Sequence, residues 1–316
     1  MKKLACLLLA CLMLAAILPA APAFAEDGEN RKVFREGETE PFPEGAELLT
    51  LRVVPLQGSD SMLLTLGEHS MLIDAGRNTH AKTILGVLQE AGLDSVEYAF
   101  NSHPHPDHIG GMIPLMEAGL GIGTFFTLFP HDYLEKPGDY GHQATTIRAL
   151  EDAGIPVVDL SNGDTIPFGD AEVQVIRIPD SYIKGRERTC NDLSAMLMIR
   201  YGECSVLLTA DIEPNDQKLL AEIHDLKADI LKYPHHGESL LTLEFMEDVD
   251  PEFFFFTHSA GNTHAAQKHM IQYGYDRMMF ATWGTIIMET DGSKWLVRQE
   301  LLPEYEKIAE EYTYGK

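Results

Sequence analysis

The sequence predicts an α/β (α+β) chain folded as a four-layer αβ/βα sandwich, with two mixed sheets face to face and helices outside. Three observations carry this. Short apolar runs of strand length come first, at Leu48 to Val54, Ser61 to Leu66 and Met71 to Ile73. Helical spacing and buried strands then alternate. The same order, strands followed by alternating units, recurs in the second half of the chain.

Four segments follow from composition. Residues 1–25 read as a signal peptide: Lys2 and Lys3 precede an apolar run from Leu4 to Leu18, and Ala23-Phe24-Ala25 is a small-residue cleavage site. The run is short for a spanning helix and has no charged stop, so no stable membrane insertion is expected after cleavage. Residues 26–46 are polar, with Pro41 and Pro43 and no periodicity, and read as a flexible acidic leader. Residues 47–300 form the expected single domain, and residues 301–316 a C-terminal tail. Within the domain, His80 to Ala91 puts Ile84, Leu85, Val87 and Leu88 on one helical face, closed by Gly92. Strands are expected at 96–100, 124–129, 171–178, 193–200, 204–209, 228–232 and 252–257, with two more in 278–289. Helices are expected at 144–153, 215–224, 240–247 and 264–272, and a polar, aromatic loop at 131–143.

The stretch Asn101-Ser102-His103-Pro104-His105-Pro106-Asp107-His108-Ile109-Gly110-Gly111 lies on a strand-to-helix turn. His103 and His105, two apart, point the same way, while Asp107 and His108 turn toward a second point. Two prolines stiffen the turn and lower the entropy cost of gathering ligands. Imidazole mixed with carboxylate suits zinc, one ion or two, with manganese as an alternative.

This H-x-H-x-D-H turn resembles that of the metallo-β-lactamase-fold hydrolases. Gln57-Gly58-Ser59-Asp60-Ser61, Met71-Leu72-Ile73-Asp74-Ala75-Gly76, Leu207-Leu208-Thr209-Ala210-Asp211-Ile212-Glu213 and Leu231-Lys232-Tyr233-Pro234-His235-His236-Gly237 resemble the ComEC-type branch. That branch is typified by the soluble domain of a bacterial DNA-uptake protein and includes exported phosphorylcholine esterases. Gly284 to Ile287 before Thr290-Asp291-Gly292 resembles its closing hairpin. The resemblance implies His103, His105, Asp107, His108, Asp211 and His235 as metal ligands, with Asp211 bridging. It implies Asp107, Asp211 and His236 as the groups that orient water or move a proton. Asp74 is expected to support the His turn, and His264 to stand near the site. Where the wider superfamily has a third histidine for the first metal, this chain has Asn191, a weak neutral ligand.

The reading of function follows. A metal-activated water would hydrolyse a phosphodiester. Lys184, Arg186 and Arg188, just before Asn191, are the basic cluster of an acidic chain and would hold the phosphate, with Lys232 nearby. Net charge is −25, and loss of residues 1–25 removes two lysines and no acid, leaving −27. That charge disfavours extended nucleic acid, whose binding rests on counterion release, and leaves a small or cell-wall phosphodiester as the expected partner of a secreted enzyme. A lactamase- or lactonase-type carbonyl hydrolase and a non-catalytic metal-binding cell-surface protein are the competing classes. A disulfide between Cys190 and Cys204, the cysteines left after cleavage, is open to an exported protein but not favoured by the hairpin register expected between them. Nothing in the sequence fixes the oligomeric state.

Overall fold

A computed structural model describes residues 31–128, 141–183 and 189–313. In chain order the first half holds β1 (Val33–Arg35), β2 (Leu49–Val53), β3 (Met62–Leu66), β4 (His69–Ile73), α1 (Ala81–Glu90) and β5 (Ser95–Asn101). It continues with α2 (Pro106–Ile109), α3 (Met112–Glu117), β6 (Gly121–Thr127), α4 (Gly141–Asp152) and β7 (Val157–Asp159). The second half holds β8 (Thr165–Phe168), β9 (Ala171–Ile176), α5 (Asp180–Ile183), β10 (Met196–Tyr201), β11 (Cys204–Leu208), α6 (Pro214–Ile223) and β12 (Ile230–Lys232). It closes with α7 (Leu243–Val249), β13 (Phe253–Phe256), α8 (His264–Gln272), β14 (Met278–Phe280), β15 (Gly284–Thr290), β16 (Trp295–Leu301) and α9 (Glu306–Glu311).

The strands form two sheets, ordered β1-β16-β15-β2-β3-β4-β5-β6-β7 and β14-β13-β12-β11-β10-β9-β8. Between them lies the central core, where Leu51, Leu64 and Phe100 of the first sheet meet Val173, Leu197, Val206 and Phe255 of the second. The strand period of two sets this partition. In Phe253-Phe254-Phe255-Phe256 the odd-numbered rings enter the central core, and the even-numbered rings pack outward with Phe245 of α7 and Met270 of α8. On the far side, Ile84 and Leu88 of α1 and Leu115 of α3 cover Leu72 and Ala99. These are the four layers of the expected sandwich.

Two expectations change. The leader is ordered from residue 31: Val33 is fully buried, β1 pairs parallel with β16, and the Glu252 carboxylate accepts from Lys32 N and Val33 N. A buried valine and a paired edge supply the order that polar composition argued against. The tail is likewise docked, with Tyr312 donating to Gln267 Oε1 at 2.8 Å. The two strands of 278–289 lie in different sheets, β14 beside β13 and β15 between β2 and β16. The crossing requires Gly284, where a Cβ would stand 2.0 Å from Glu300 O. Neither Cys190 nor Cys204 is in a disulfide; both are buried, and burial pushes the Cys204 thiol up to about 11. The signal-peptide segment, most of the 131–143 loop and Lys184, Arg186 and Arg188 lie outside the described residues.

Candidate metal centre

The carboxyl ends of β4, β5, β11, β12 and β13 meet at one edge of the sandwich, and the loops leaving them carry the polar residues. Backbone bonds stitch these loops together. Asp60 N donates to Asp107 O at 3.2 Å, Gly76 N to Asp60 O at 2.9 Å, Ala75 N to His108 O at 2.6 Å and Gly111 N to Gly76 O at 2.9 Å. Gly111 is obligatory here, because a Cβ would stand 2.0 Å from Ala75 O. The helix expected after the turn is α3, and one further turn of helix, α2, precedes it within the His turn.

Asp211 is the centre. Its Oδ2 lies 3.2 Å from His108 Nε2, 3.4 Å from His236 Nε2, 3.8 Å from His103 Nε2 and 3.9 Å from His235 Nε2. Two donor groups therefore share one carboxylate: His103, His105 and Asp211 on one side, and Asp60, His108, Asp211 and His236 on the other. The structure brings together the His turn and the late histidines as expected, with one reversal. His236, buried, enters the convergent group, while Nδ1 of the quarter-exposed His235 faces Glu213 Oε1 at 3.0 Å and Ser239 Oγ at 3.2 Å. The reason is local: both histidines adopt left-handed backbone, φ 48° and 54°, in the turn Pro234–Gly237, and this turns the second ring inward. Asp107 stands at the edge, its Oδ2 3.9 Å from His236 Nε2 and 2.8 Å from Arg77 Nη2.

Around these groups sits a layer that orients them. Asp74 takes Ser102 N at 2.8 Å, Ser102 Oγ at 2.7 Å and Asn101 Nδ2 at 3.2 Å, and its Oδ2 lies 2.7 Å from His108 Nδ1. A carboxylate behind an imidazole fixes its ring and tautomer. Asp60 does the same for His236, with Oδ1 at 3.0 Å from Nδ1 and accepting from Thr257 Oγ1 at 2.6 Å. Its Oδ2 is 2.5 Å from Lys232 Nζ. Asp60 thus backs His236 through Oδ1 and pairs with Lys232 through Oδ2, while remaining within reach of the second donor group. Asp74, Ala210, His235 and His236 all have positive φ, at a cost of about 1–3 kcal/mol each, which this network has to offset.

Several expected roles move. Lys232 is fully buried, its ammonium held by Asp60 and by Ala210 O at 2.8 Å, so it balances charge beneath the site and does not face substrate. Asn191 is 8% exposed; its Nδ2 donates to Glu213 Oε1 at 3.1 Å, while its Oδ1 is buried without a hydrogen-bond partner. His264 opens α8, half-buried, and is outside both donor groups. Sequence reasoning missed the roles of Asp60, Arg77 and Glu213. Asp60 and Glu213 lay in quoted motifs, Gly-Ser-Asp-Ser and Asp-Ile-Glu, but only the fold shows what they touch.

The electrostatics follow from burial and pairing. Burial alone would raise the Asp211 and Asp60 carboxyls, but His236 and His108 around the first, and Lys232 and His236 around the second, hold both below the usual range. Burial would depress His236, but Asp211 and Asp60 outweigh it and push it up to about 9; His108 is raised in the same way by Asp211 and Asp74. His103 is held well below its ordinary value by burial and by His108.

The comparisons with known proteins agree with this geometry. A family model described as the metallo-β-lactamase superfamily matches residues 54–182. The structure of the metallo-β-lactamase fold protein YhfI from Bacillus subtilis superposes with a TM-score of 0.52 at 15% identity, covering 77% of this chain and all of that one. This chain carries a metallo-β-lactamase fold domain. ComE operon protein 3 of Bacillus subtilis is a homologue, 25% identical over 175 residues, covering 54% of this chain and 21% of that protein. Hydroxyacylglutathione hydrolase of Gloeobacter violaceus is 26% identical over 175 residues, 54% of this chain and 61% of the relative. The chain thus spans less than two thirds of either curated relative. Domains of this fold bind metal ions, and the His/Asp cluster here is able to hold one. The donors fit such an ion: Nε2 of both His108 and His236 is buried without a hydrogen-bond partner and directed at one carboxylate. The metallo-β-lactamase fold domain is therefore metal-dependent-hydrolase-like.

Proposed function

We propose that the chain is a secreted zinc- or manganese-dependent phosphodiesterase acting on a small or cell-wall phosphodiester. The observation that carries this reading is Asp211 shared between two donor groups, since paired ions clamp the attacking and leaving oxygens of an in-line displacement. His103 and His105 would hold one ion, Asp107, His108 and His236 the other, with Asp211 between. An ion there supplies Lewis acidity and water acidic enough to yield hydroxide near neutral pH. The chain's own residues do the rest. Asp74 and Asp60 lock the rings of His108 and His236, and Asp211 and Asp107 orient water. Asn191 takes the sequence position of the superfamily's third imidazole and is a weak neutral ligand, so substrate would complete the coordination of the first ion. The resemblance of its motifs to the ComEC-type branch and its net charge of −25 support a phosphodiester smaller than a polynucleotide. Export rests on residues 1–25.

The similarity to hydroxyacylglutathione hydrolase favours a second reading, hydrolysis of a thioester carbonyl. Turnover of bis(p-nitrophenyl) phosphate, a hydroxyacyl-glutathione and a chromogenic β-lactam, each with and without chelator, separates the readings. Chelator-sensitive phosphodiester turnover is expected. Turnover confined to the thioester or the lactam would replace the proposal.

A further inference from the structure

Arg77 stands at the rim of the metal-capable cluster with its side chain half exposed and Nη2 2.8 Å from Asp107 Oδ2. Its backbone is fixed to the loops that carry the cluster. Gly76, the residue before it, donates to Asp60 O and accepts from Gly111 N. Arg77 N bonds His80 Nδ1 at 3.1 Å, and Arg77 O accepts from His80 N at 2.9 Å. The guanidinium is thus carried on an anchored stem, one edge on Asp107 and the remainder toward solvent.

The surrounding charge gives this placement meaning. Asp60, Asp107, Asp211 and Glu213 make the site acidic, and Lys232 is spent beneath it on Asp60. Among the described residues, Arg77 is the lysine or arginine that both pairs with the cluster and faces solvent. An anionic substrate approaching a chain of net charge −25 meets like charge at long range, and Arg77 adds a solvent-facing cation at the rim beside the proposed ions. A guanidinium carries five N–H donors in a planar fork, so one contact to Asp107 leaves others for a phosphoryl oxygen.

We propose that Arg77 is the anion-holding residue of this site: its Nη2 stays on Asp107 while its other N–H groups bind a non-bridging oxygen of the substrate phosphate. The inference rests on the phosphodiester reading and names the residue that selects for it.

Arg77→Met in the metal-loaded chain tests this. KM for bis(p-nitrophenyl) phosphate should rise tenfold or more while kcat changes less than threefold, bound metal stays at the wild-type level, and the Kd for inorganic phosphate weakens tenfold. Arg77→Lys keeps the charge and loses the fork, so its KM should fall between the two. If Arg77 served only to hold Asp107, metal content or kcat would drop with KM unchanged, and the proposal would be overturned. Wild-type protein without phosphodiester turnover would defeat the functional reading alone. The phosphate titration then still decides, and equal Kd in wild type and variants would overturn the assignment of Arg77.

Discussion

Replacing Lys232 by Met asks what the buried ammonium does. It is fully buried, 2.5 Å from Asp60 Oδ2, 2.8 Å from Ala210 O and 3.7 Å from Asp211 Oδ1. Met fills similar volume, so the loss is one of charge. Asp60 would keep His236 and Thr257 on Oδ1 but have an uncompensated oxygen in the protein interior. Removing one partner of a buried pair costs about 3–5 kcal/mol, because the remaining charge stays desolvated. At about 2–4 °C per kcal/mol for domains somewhat smaller than this one, the melting temperature should fall on the order of 10 °C. The measurement is denaturant unfolding of the chelated protein, with m unchanged. Combining Lys232→Met with Asp60→Asn should recover part of the loss, since the stranded charge is then gone. A substrate-binding lysine behaves differently: KM rises and stability is untouched. A single-variant loss below about 1 kcal/mol, or strict additivity in the double variant, would refute the buried-pair argument.

Metal binding should release protons. His236 is raised to about 9 by Asp211 and Asp60, so it is protonated at neutral pH and must deprotonate to coordinate, and His108 is shifted in the same direction. Apparent affinity should climb about tenfold per pH unit for His236 alone, up to about pH 9, in a competition titration against a chromophoric chelator; a flat profile would sink the assignment of His236. The sign reverses for the metal-free fold: a raised histidine stabilises fully below its unfolded pKa near ~6.5, and that contribution fades as pH rises through about 9. Deleting residues up to 46 should destabilise the domain by about 2–4 kcal/mol, since Val33 leaves the core and the Glu252 carboxylate loses two backbone donors. Matching unfolding midpoints for the shortened and full chains would return those residues to the status of a loose leader.

Periodicity and punctuation were enough for the layers. The continuous apolar 253–256 run, the amphipathic 81–90 helix and the H-x-H-x-D-H turn are local patterns, and local patterns survive in the order of residues. So the sandwich and the His turn were legible from local pattern, and Asp211 through the family resemblance of its motif. Contacts across large separations were not. Asp60 meets Lys232, His236 and Thr257 nearly two hundred residues away, and nothing near Asp60 in sequence marks it as their partner. Which of His235 and His236 turns inward depends on left-handed backbone at both, set by the turn and not by residue type. Lys232 looks like a surface cation beside a histidine pair until its strand is flanked by β11 and β13, which bury it. Order in residues 31–46 was hidden because one buried valine and one distant glutamate outweigh a polar composition. Sequence determined which chemistry is present; tertiary structure decided which charges face each other, because burial and the pairing of distant loops set the strength of every interaction in the site.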